Sequence, residues 1–477
     1  MIFQRFYDEG LAQASYLIGC ERHGAAIVVD PRRDVSGYLE EATRRGLEIV
    51  AVTETHVHAD YLSGARELAG ATGAALYLSA EGGPEWTYRF DHQPVGHGDE
   101  IVAGAVALRA VHTPGHTPEH LTFLVTDRAA AGEPGIALTG DFVFAGDLGR
   151  PDLLDETGAT EGSRFHAAVE QFSSLQERLL TLPDYVQVWP GHGAGSACGR
   201  SLGAVPSSTV GYERRFAWWG QLIEWGDHRS FAGRLLEGQP DAPTYFARMK
   251  RLNRDGPPLL GRREAPRPLD PGEVRRLLDG GARLLDSRPR TQYLAGAAPG
   301  AIHLPWGKNF STWAGWLLEP DAEYILLASA APAASEMRDL LSRVGIDRVA
   351  GFAPTLDGLV LAPPAALGAE SLSGLEGALL VDVRAASEYA EGHIPGAVQL
   401  HAGRIVTRRA ALPPDRPVVL YCQSGDRSVA AGSALRAAGM RNVWELVGGY
   451  QAWLAVTRPA RGLNSDGPPG QNPRHPR

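Results

Sequence analysis

Cysteine is scarce in this 477-residue chain: Cys20, Cys198 and Cys422 stand far apart and are odd in number. That excludes a disulfide framework and points to a reducing, cytoplasmic compartment. Lysine is scarcer still, with only Lys250 and Lys308, so nearly all positive charge is arginine. The net charge is −9 and no basic stripe appears, which argues against a nucleic-acid partner. No apolar run approaches the ~18 residues of a membrane span. Residues 1–19 carry Asp8 and Glu9 and lack the continuous apolar core of a signal peptide. The expectation is therefore a chain with neither a membrane nor a nucleic-acid partner.

The length suits about three domains at roughly 100–200 residues each. Up to about residue 210, strand-like runs such as Ala25–Val29, Leu47–Val52 and Val106–Val111 alternate with helical ones such as Val35–Arg45 and Ser163–Thr181. That pattern predicts two sheets packed inside helices. Residues 211–255 read as helical and aromatic, with Trp218, Trp219, Trp225, Tyr245 and Phe246 offering a surface to a partner subunit; a homo-oligomer is expected. A Pro/Arg-rich linker, 256–268, follows. Beyond it lies an internal repeat: Asp286 and Asp382, Tyr293 and Tyr389, Gly296 and Gly392, Pro299 and Pro395 are each 96 positions apart. Both copies alternate strands and helices, which predicts parallel sheets with helices on both faces. The predicted units are residues 1–255, 266–356 and 368–457, with a disordered tail over 458–477.

Chemistry concentrates after apolar runs. His56-Val57-His58-Ala59-Asp60-Tyr61 follows Leu47–Val52, and alternation along extended chain would send His56 and His58 out on one face, as metal ligands. Thr113-Pro114-Gly115-His116-Thr117, Thr139-Gly140-Asp141 and Pro190-Gly191-His192-Gly193 complete the set. Together these segments resemble the metallo-β-lactamase superfamily, which implies an αββα sandwich with a metal at one edge of the two sheets. Tyr61 stands where the common pattern has a second-metal histidine, which disfavours a dinuclear zinc site. The resemblance narrows to the persulfide dioxygenases of that superfamily, and implies one Fe(II) per chain held by His56, His116 and Asp141. His58, Asp60, His192 and Tyr61 would then stand behind the ligands. Three open coordination positions suit O2 and a substrate sulfur. Arg150, in Gly149-Arg150-Pro151-Asp152, either pairs locally or steadies an anion. Cys198 lies on a glycine-rich loop six residues past His192, flexible and near the metal, and either holds substrate or merely packs.

In the second copy, Val418–Tyr421 runs into Cys422-Gln423-Ser424-Gly425-Asp426-Arg427-Ser428. A cysteine at a strand end, followed by a tight loop entering a helix, forms a nest of N–H groups that stabilises a thiolate, and Arg427 adds positive charge. With Asp382-Val383-Arg384, Glu388-Tyr389 and Gly392–Ala397, the segment resembles the rhodanese sulfurtransferases, whose cysteine carries a sulfane sulfur. Cys422 and Arg427 are thereby the expected catalytic pair, with Gly425 in the substrate loop. The first copy has Ala328-Ser329-Ala330 in the matching place, so it is expected to be catalytically dead, a spacer or docking surface.

The expected fold is thus α/β: an αββα sandwich followed by two rhodanese-like doubly wound domains. The function this order implies is oxidation of a low-molecular-weight thiol persulfide by O2 to sulfite and thiol, with Cys422 passing sulfane sulfur to sulfite to give thiosulfate. The alternatives are a zinc thioester hydrolase similar to the glyoxalase II group, fused to sulfurtransferase domains, and a sulfur-relay or sensing module that uses Cys422 alone.

Overall fold

The computed structural model describes residues 1–152, 162–200, 202–239 and 241–457; the tail expected to be disordered lies outside the described residues. Two six-stranded sheets come first. One runs Ile2–Asp8, Gln13–Cys20, Ala25–Val29, Glu48–Thr53, Ala75–Ser79, Gln93–Val95. The other runs Ser208–Thr209, Gln187–Pro190, Ile136–Gly140, Leu121–Asp127, Val106–His112, Glu100–Ala103. Alternate residues of each strand meet between the sheets, Tyr16, Ile18, Ile27 and Val29 against Leu108, Phe123, Val125 and Leu138. On the outer faces, Val28 and Val52 pack on Tyr38 and Leu68 of the helices Ser36–Arg45 and Ala65–Thr72. Leu124 and Val188 pack on Phe172 of Ser163–Ser174 and Phe231 of His228–Leu236. Helix, sheet, sheet, helix is the αββα sandwich.

The repeat recurs in the backbone. The first copy orders its parallel strands Ile302–His303, Arg283–Asp286, Tyr324–Leu327, Val349–Ala353. The second orders them Val398–Gln399, Leu379–Asp382, Val418–Tyr421, Val443–Leu446, and adds Ala366–Leu367 at the edge. One network holds both. Arg288 donates to Asp286 (2.6 Å) and to the Gly296 carbonyl (2.9 Å), and Arg384 to Asp382 (2.6 Å) and the Gly392 carbonyl (2.6 Å). Each pair satisfies a fully buried carboxylate at a strand end, so this part of the repeat is structural. In the second copy, Leu435 of the helix Asp426–Ala437 and Trp453 of Gly449–Thr457 pack into separate cores of the sheet.

The aromatic stretch is largely spent within the chain, which corrects the expectation that it faces a partner subunit. Trp219 lies in the core with Phe231, and Tyr245 and Phe246 pack with Phe310 and Leu341 of the first copy. Trp225 stays exposed. The first copy is clamped to the sandwich by Arg33 on Asp347 (2.7 Å) and Arg343 on Asp34 (2.7 Å). No helix among the described residues is long and apolar enough to cross a membrane.

Candidate metal centre and cysteine loop

The strands Glu48–Thr53, Val106–His112, Ile136–Gly140 and Gln187–Pro190 deliver His56, His116, Asp141 and His192 from their C-terminal ends, and all four side chains are buried. Asp141 Oδ2 lies 3.9 Å from His56 Nε2 and 3.6 Å from His116 Nε2, and is a buried oxygen without a hydrogen-bond partner. His56 Nδ1 meets Thr55 Oγ1 (3.0 Å) and His116 Nδ1 donates to the Arg150 carbonyl (2.9 Å). Each ring is thereby fixed with Nε2 turned to the common point, as metal-ligating imidazoles are. Gly140, at φ 47°, lets the chain turn there; a Cβ would strike Thr55 and His120.

The charges suit a cation. Burial and the surrounding imidazoles hold His56 well below its ordinary range. Burial takes His116 down to about 4, against the pull of Asp141. Burial opposes ionisation of Asp141, but the charge and hydrogen bond of His192 outweigh it and hold the carboxyl well below its usual range. Two neutral imidazoles and one carboxylate are donors that need lose no proton before binding metal at neutral pH.

His58 corrects the expectation of a shared face. Its Nε2 lies 2.8 Å from Glu54 Oε2 and 3.1 Å from Asp30 Oδ1, turned away from the His56–His116–Asp141 point. The strand ends at Thr53, so period-2 alternation no longer governs residues 56–58. Burial lowers the affinity of His58 for a proton, but the two carboxylates raise it further. Tyr61 is fully buried, its hydroxyl 3.2 Å from the Asp30 carbonyl and its ring 4.6 Å from that of His58. His192 bridges two carboxylates, Nδ1 to Asp141 (2.6 Å) and Nε2 to Asp60 (2.8 Å). Burial disfavours its charged form, yet Asp141 and Asp60 together push it up to about 10.

Arg150 pairs locally, its Nη2 2.6 Å from Asp152 Oδ2. Cys198 is packed rather than loosely held: it is buried, its carbonyl accepts from Arg150 N (3.1 Å), and burial pushes its thiol well up. Its sulfur lies with Asp60 and His192 in a second group whose ligand atoms fall within 4.8 Å of one another.

Two residues escaped sequence reasoning. Asn253 donates to the carbonyls of His58 and Tyr61 (2.8 Å each) and accepts from Ser63 N (2.9 Å), gripping the ligand loop from the helix Phe246–Asp255. Lys250, on the same helix, lies over Trp86 (5.6 Å) and depresses His116. Lys250 borders a cavity of about 640 Å³, which Arg251 and Arg254 of the same helix line together with Val57, Trp86 and Arg89. Nothing local in the sequence marks a contact across some 190 positions.

Cys422 ends the strand Val418–Tyr421 and is buried. The Gly425 N–H donates to its Sγ (3.1 Å) and Ser428 Oγ lies 3.8 Å away. Gly425, at φ 108°, makes the turn into the helix Asp426–Ala437. Arg427 stands by the loop but is tied to Glu388 by two bonds (2.6 and 2.8 Å), which share its charge. In the first copy Ala328 follows the matching strand, and Pro332 in the first turn of Ala331–Arg343 removes an N–H.

Residues 8–192 match the model of the metallo-beta-lactamase superfamily, and residues 368–456 match that of the rhodanese-like domain. A crystal structure of a metallo-beta-lactamase from Staphylococcus aureus subsp. aureus COL is 39% identical, with a TM-score of 0.67, over 74% of this chain and 99% of its own. The hydroxyacylglutathione hydrolase of Methylobacillus flagellatus is 33% identical over 180 residues, 37% of this chain and 62% of its own length. The mitochondrial persulfide dioxygenase of Mus musculus is 25% identical over 194 residues, 40% of this chain and 68% of its own length.

Proposed function

The chain belongs to the metallo-β-lactamase superfamily and carries a rhodanese-like domain behind the sandwich, and on that premise we propose that it oxidises low-molecular-weight thiol persulfides with O2 and passes sulfane sulfur to sulfite. The observation that carries the reading is the convergence of His56, His116 and Asp141, with Asp141 Oδ2 buried and unpaired. Two neutral imidazoles and a carboxylate suit one Fe(II) per chain, which when bound supplies the redox chemistry between O2 and a sulfur. One persulfide, one O2 and one water then balance as thiol and sulfite.

The chain's own groups do the rest. His192 orients Asp141 through Nδ1 and keeps a proton at Nε2, against Asp60, for the thiolate that leaves. The cavity beside Val57, with Arg89, Arg251 and Arg254 at its wall, favours an anionic thiol carrier. At Cys422 the sulfur–sulfur bond of a persulfide breaks as sulfite takes the outer sulfur, giving thiosulfate, and the returning thiolate accepts from Gly425 N–H. Two centres on one chain raise the local concentration of the shared intermediate. Three free cysteines suit a cytoplasmic setting.

A second reading rests on Asp60, His192 and Cys198, whose grouping could hold a second ion and so serve a two-zinc thioester hydrolase. Against it, Tyr61 is engaged with Asp30 and offers no nitrogen. Metal analysis with O2 uptake on a panel of persulfides decides. One iron per chain with persulfide-dependent uptake supports the first reading; two tightly held zinc ions, thioester hydrolysis and no such uptake establish the second.

A further inference from the structure

The cysteine-less copy reaches into the cysteine loop of its neighbour. Arg290, the first residue of the helix Arg290–Ala295, donates through Nη1 to the Ser424 carbonyl at 2.7 Å and pairs with Asp426 Oδ1 at 2.9 Å. The same nitrogen would lie 2.7 Å from a Cβ at Gly425, so the guanidinium rests directly on the loop. Arg290 is no relic of the repeat, because the position 96 residues on is Ala386. The residues that keep the copy folded, Asp286, Arg288 and Gly296, form their own network without it.

The Ser424 carbonyl and the Gly425 N–H belong to one planar trans peptide, so they point in opposite directions. Arg290 holds the carbonyl end, and the N–H end donates to Cys422 Sγ. A cation on the carbonyl also polarises the peptide and strengthens its N–H as a donor. We infer that Arg290 is a positioning residue for Cys422: the catalytically dead copy orients and polarises the Ser424–Gly425 peptide whose N–H stabilises sulfur as an anion. The sulfur-transfer half of the proposed function is its setting. The flanking contacts fit this role. Val429, one turn into the helix that follows the loop, packs on Tyr293 and Ala297, and Ser433 accepts from His303 N (2.9 Å), so the helix carrying the loop is seated on the first copy.

The test uses the full chain and two variants, Arg290→Met and Arg290→Lys. The first readout is the rate of Cys422 alkylation by iodoacetamide at fixed neutral pH, followed by peptide mass spectrometry; it is independent of whether Cys422 transfers sulfur. The second is sulfur transfer to sulfite. Because Cys422 is only 1% exposed, a loop that merely loosens would expose the sulfur and alkylate faster. Loss of the oriented N–H has the opposite sign. Arg290→Met should slow alkylation about three- to tenfold and lower kcat for transfer by a similar factor, roughly what one ordinary net hydrogen bond is worth. Arg290→Lys, which keeps a cationic donor for the carbonyl, should fall between it and the natural protein. Alkylation that is unchanged or faster in both variants overturns the inference. Normal Arg290-dependent alkylation in a protein without sulfur transfer would sink the proposed activity of Cys422 and leave the role of Arg290 standing.

Discussion

Asn253 holds the ligand loop through His58: its Nδ2 donates to the His58 carbonyl at 2.8 Å, and the same amide reaches the Tyr61 carbonyl. Asn253→Ala strands both buried carbonyls and the Ser63 N–H, at a cost of about 1–3 kcal/mol for each group left unpaired. Because the loop carries His56, metal affinity should fall about ten- to a hundredfold, as for other groups that orient ligands. Competition with a chelator and a thermal melt measure the two effects. A variant that melts early but holds metal as tightly as the natural protein would show that Asn253 supports only the fold.

The ligands themselves should respond more steeply. Asp141→Ala removes the carboxylate of the convergent set and leaves His192 without its closest partner. Iron content and persulfide-dependent O2 uptake should both fall by more than the hundredfold expected of an orienting group. Sulfur transfer at Cys422 should persist. Metal analysis paired with an oxygen electrode checks this, and full iron occupancy in the variant would refute the ligand set.

Arg251 is exposed at the wall of the cavity beside Val57, outside the ligand set. If the thiol carrier is anionic, Arg251→Glu should raise KM for a glutathione or coenzyme A persulfide about fivefold with kcat little changed, since a distant charge contributes uniform binding. The difference should shrink as salt rises past roughly 0.5 M, where screening shortens to a few ångströms. Equal KM values at low salt would exclude the cavity as the carrier's seat.

What was legible in the sequence was local. The motifs around His56, His116, Asp141 and His192 each follow a strand, and the repeat keeps one spacing, so both survive translation into three dimensions. The Asp286–Arg288 and Asp382–Arg384 pairs are two residues apart and close on themselves. What was not legible depends on distant partners. His58 turns to Asp30 and Glu54 because two buried carboxylates outbid the metal side, a contest no spacing records. Cys198 looked loose among glycines, yet the Arg150 loop packs it away. Strands as short as Ser208–Thr209 and Glu100–Ala103 give too few residues for a period to emerge.

Glu445 gives the second copy a pH-dependent stability. Burial pushes its carboxyl up to about 7, although Arg436 pulls it down from 3.1 Å, and its Oε2 is buried without a hydrogen bond. The folded value lies above the unfolded one of about 4.3, so the folded state binds the proton more tightly. Its contribution is therefore present at pH 4 and lost as pH rises towards 7, by up to roughly 3 kcal/mol. Glu445→Gln keeps an oxygen for Arg436 without the ionisation. The melting temperature of the natural protein should fall relative to that of the variant between pH 5 and 8. Parallel curves across that window would mean that Glu445 titrates alike in both states.

Cys422→Ser separates the two centres. Serine keeps the strand-end geometry and the Gly425 N–H contact, but its hydroxyl is a far weaker nucleophile and cannot carry a persulfide. The His56–His116–Asp141 group lies in the sandwich and shares no residue with the cysteine loop, so O2 uptake should stay within about twofold of the natural rate. Sulfite made at the metal then finds no sulfane sulfur held on residue 422, and the product should shift from thiosulfate to sulfite. The quantity to measure is the sulfite-to-thiosulfate ratio after a fixed amount of persulfide is consumed with oxygen in excess. Uncatalysed reaction of sulfite with persulfide sets a floor, which a run without protein measures. A ratio equal to that of the natural protein, above that floor, would mean that thiosulfate forms elsewhere. Cys198 would then be the next thiol to replace, because its sulfur already lies beside Asp60 and His192.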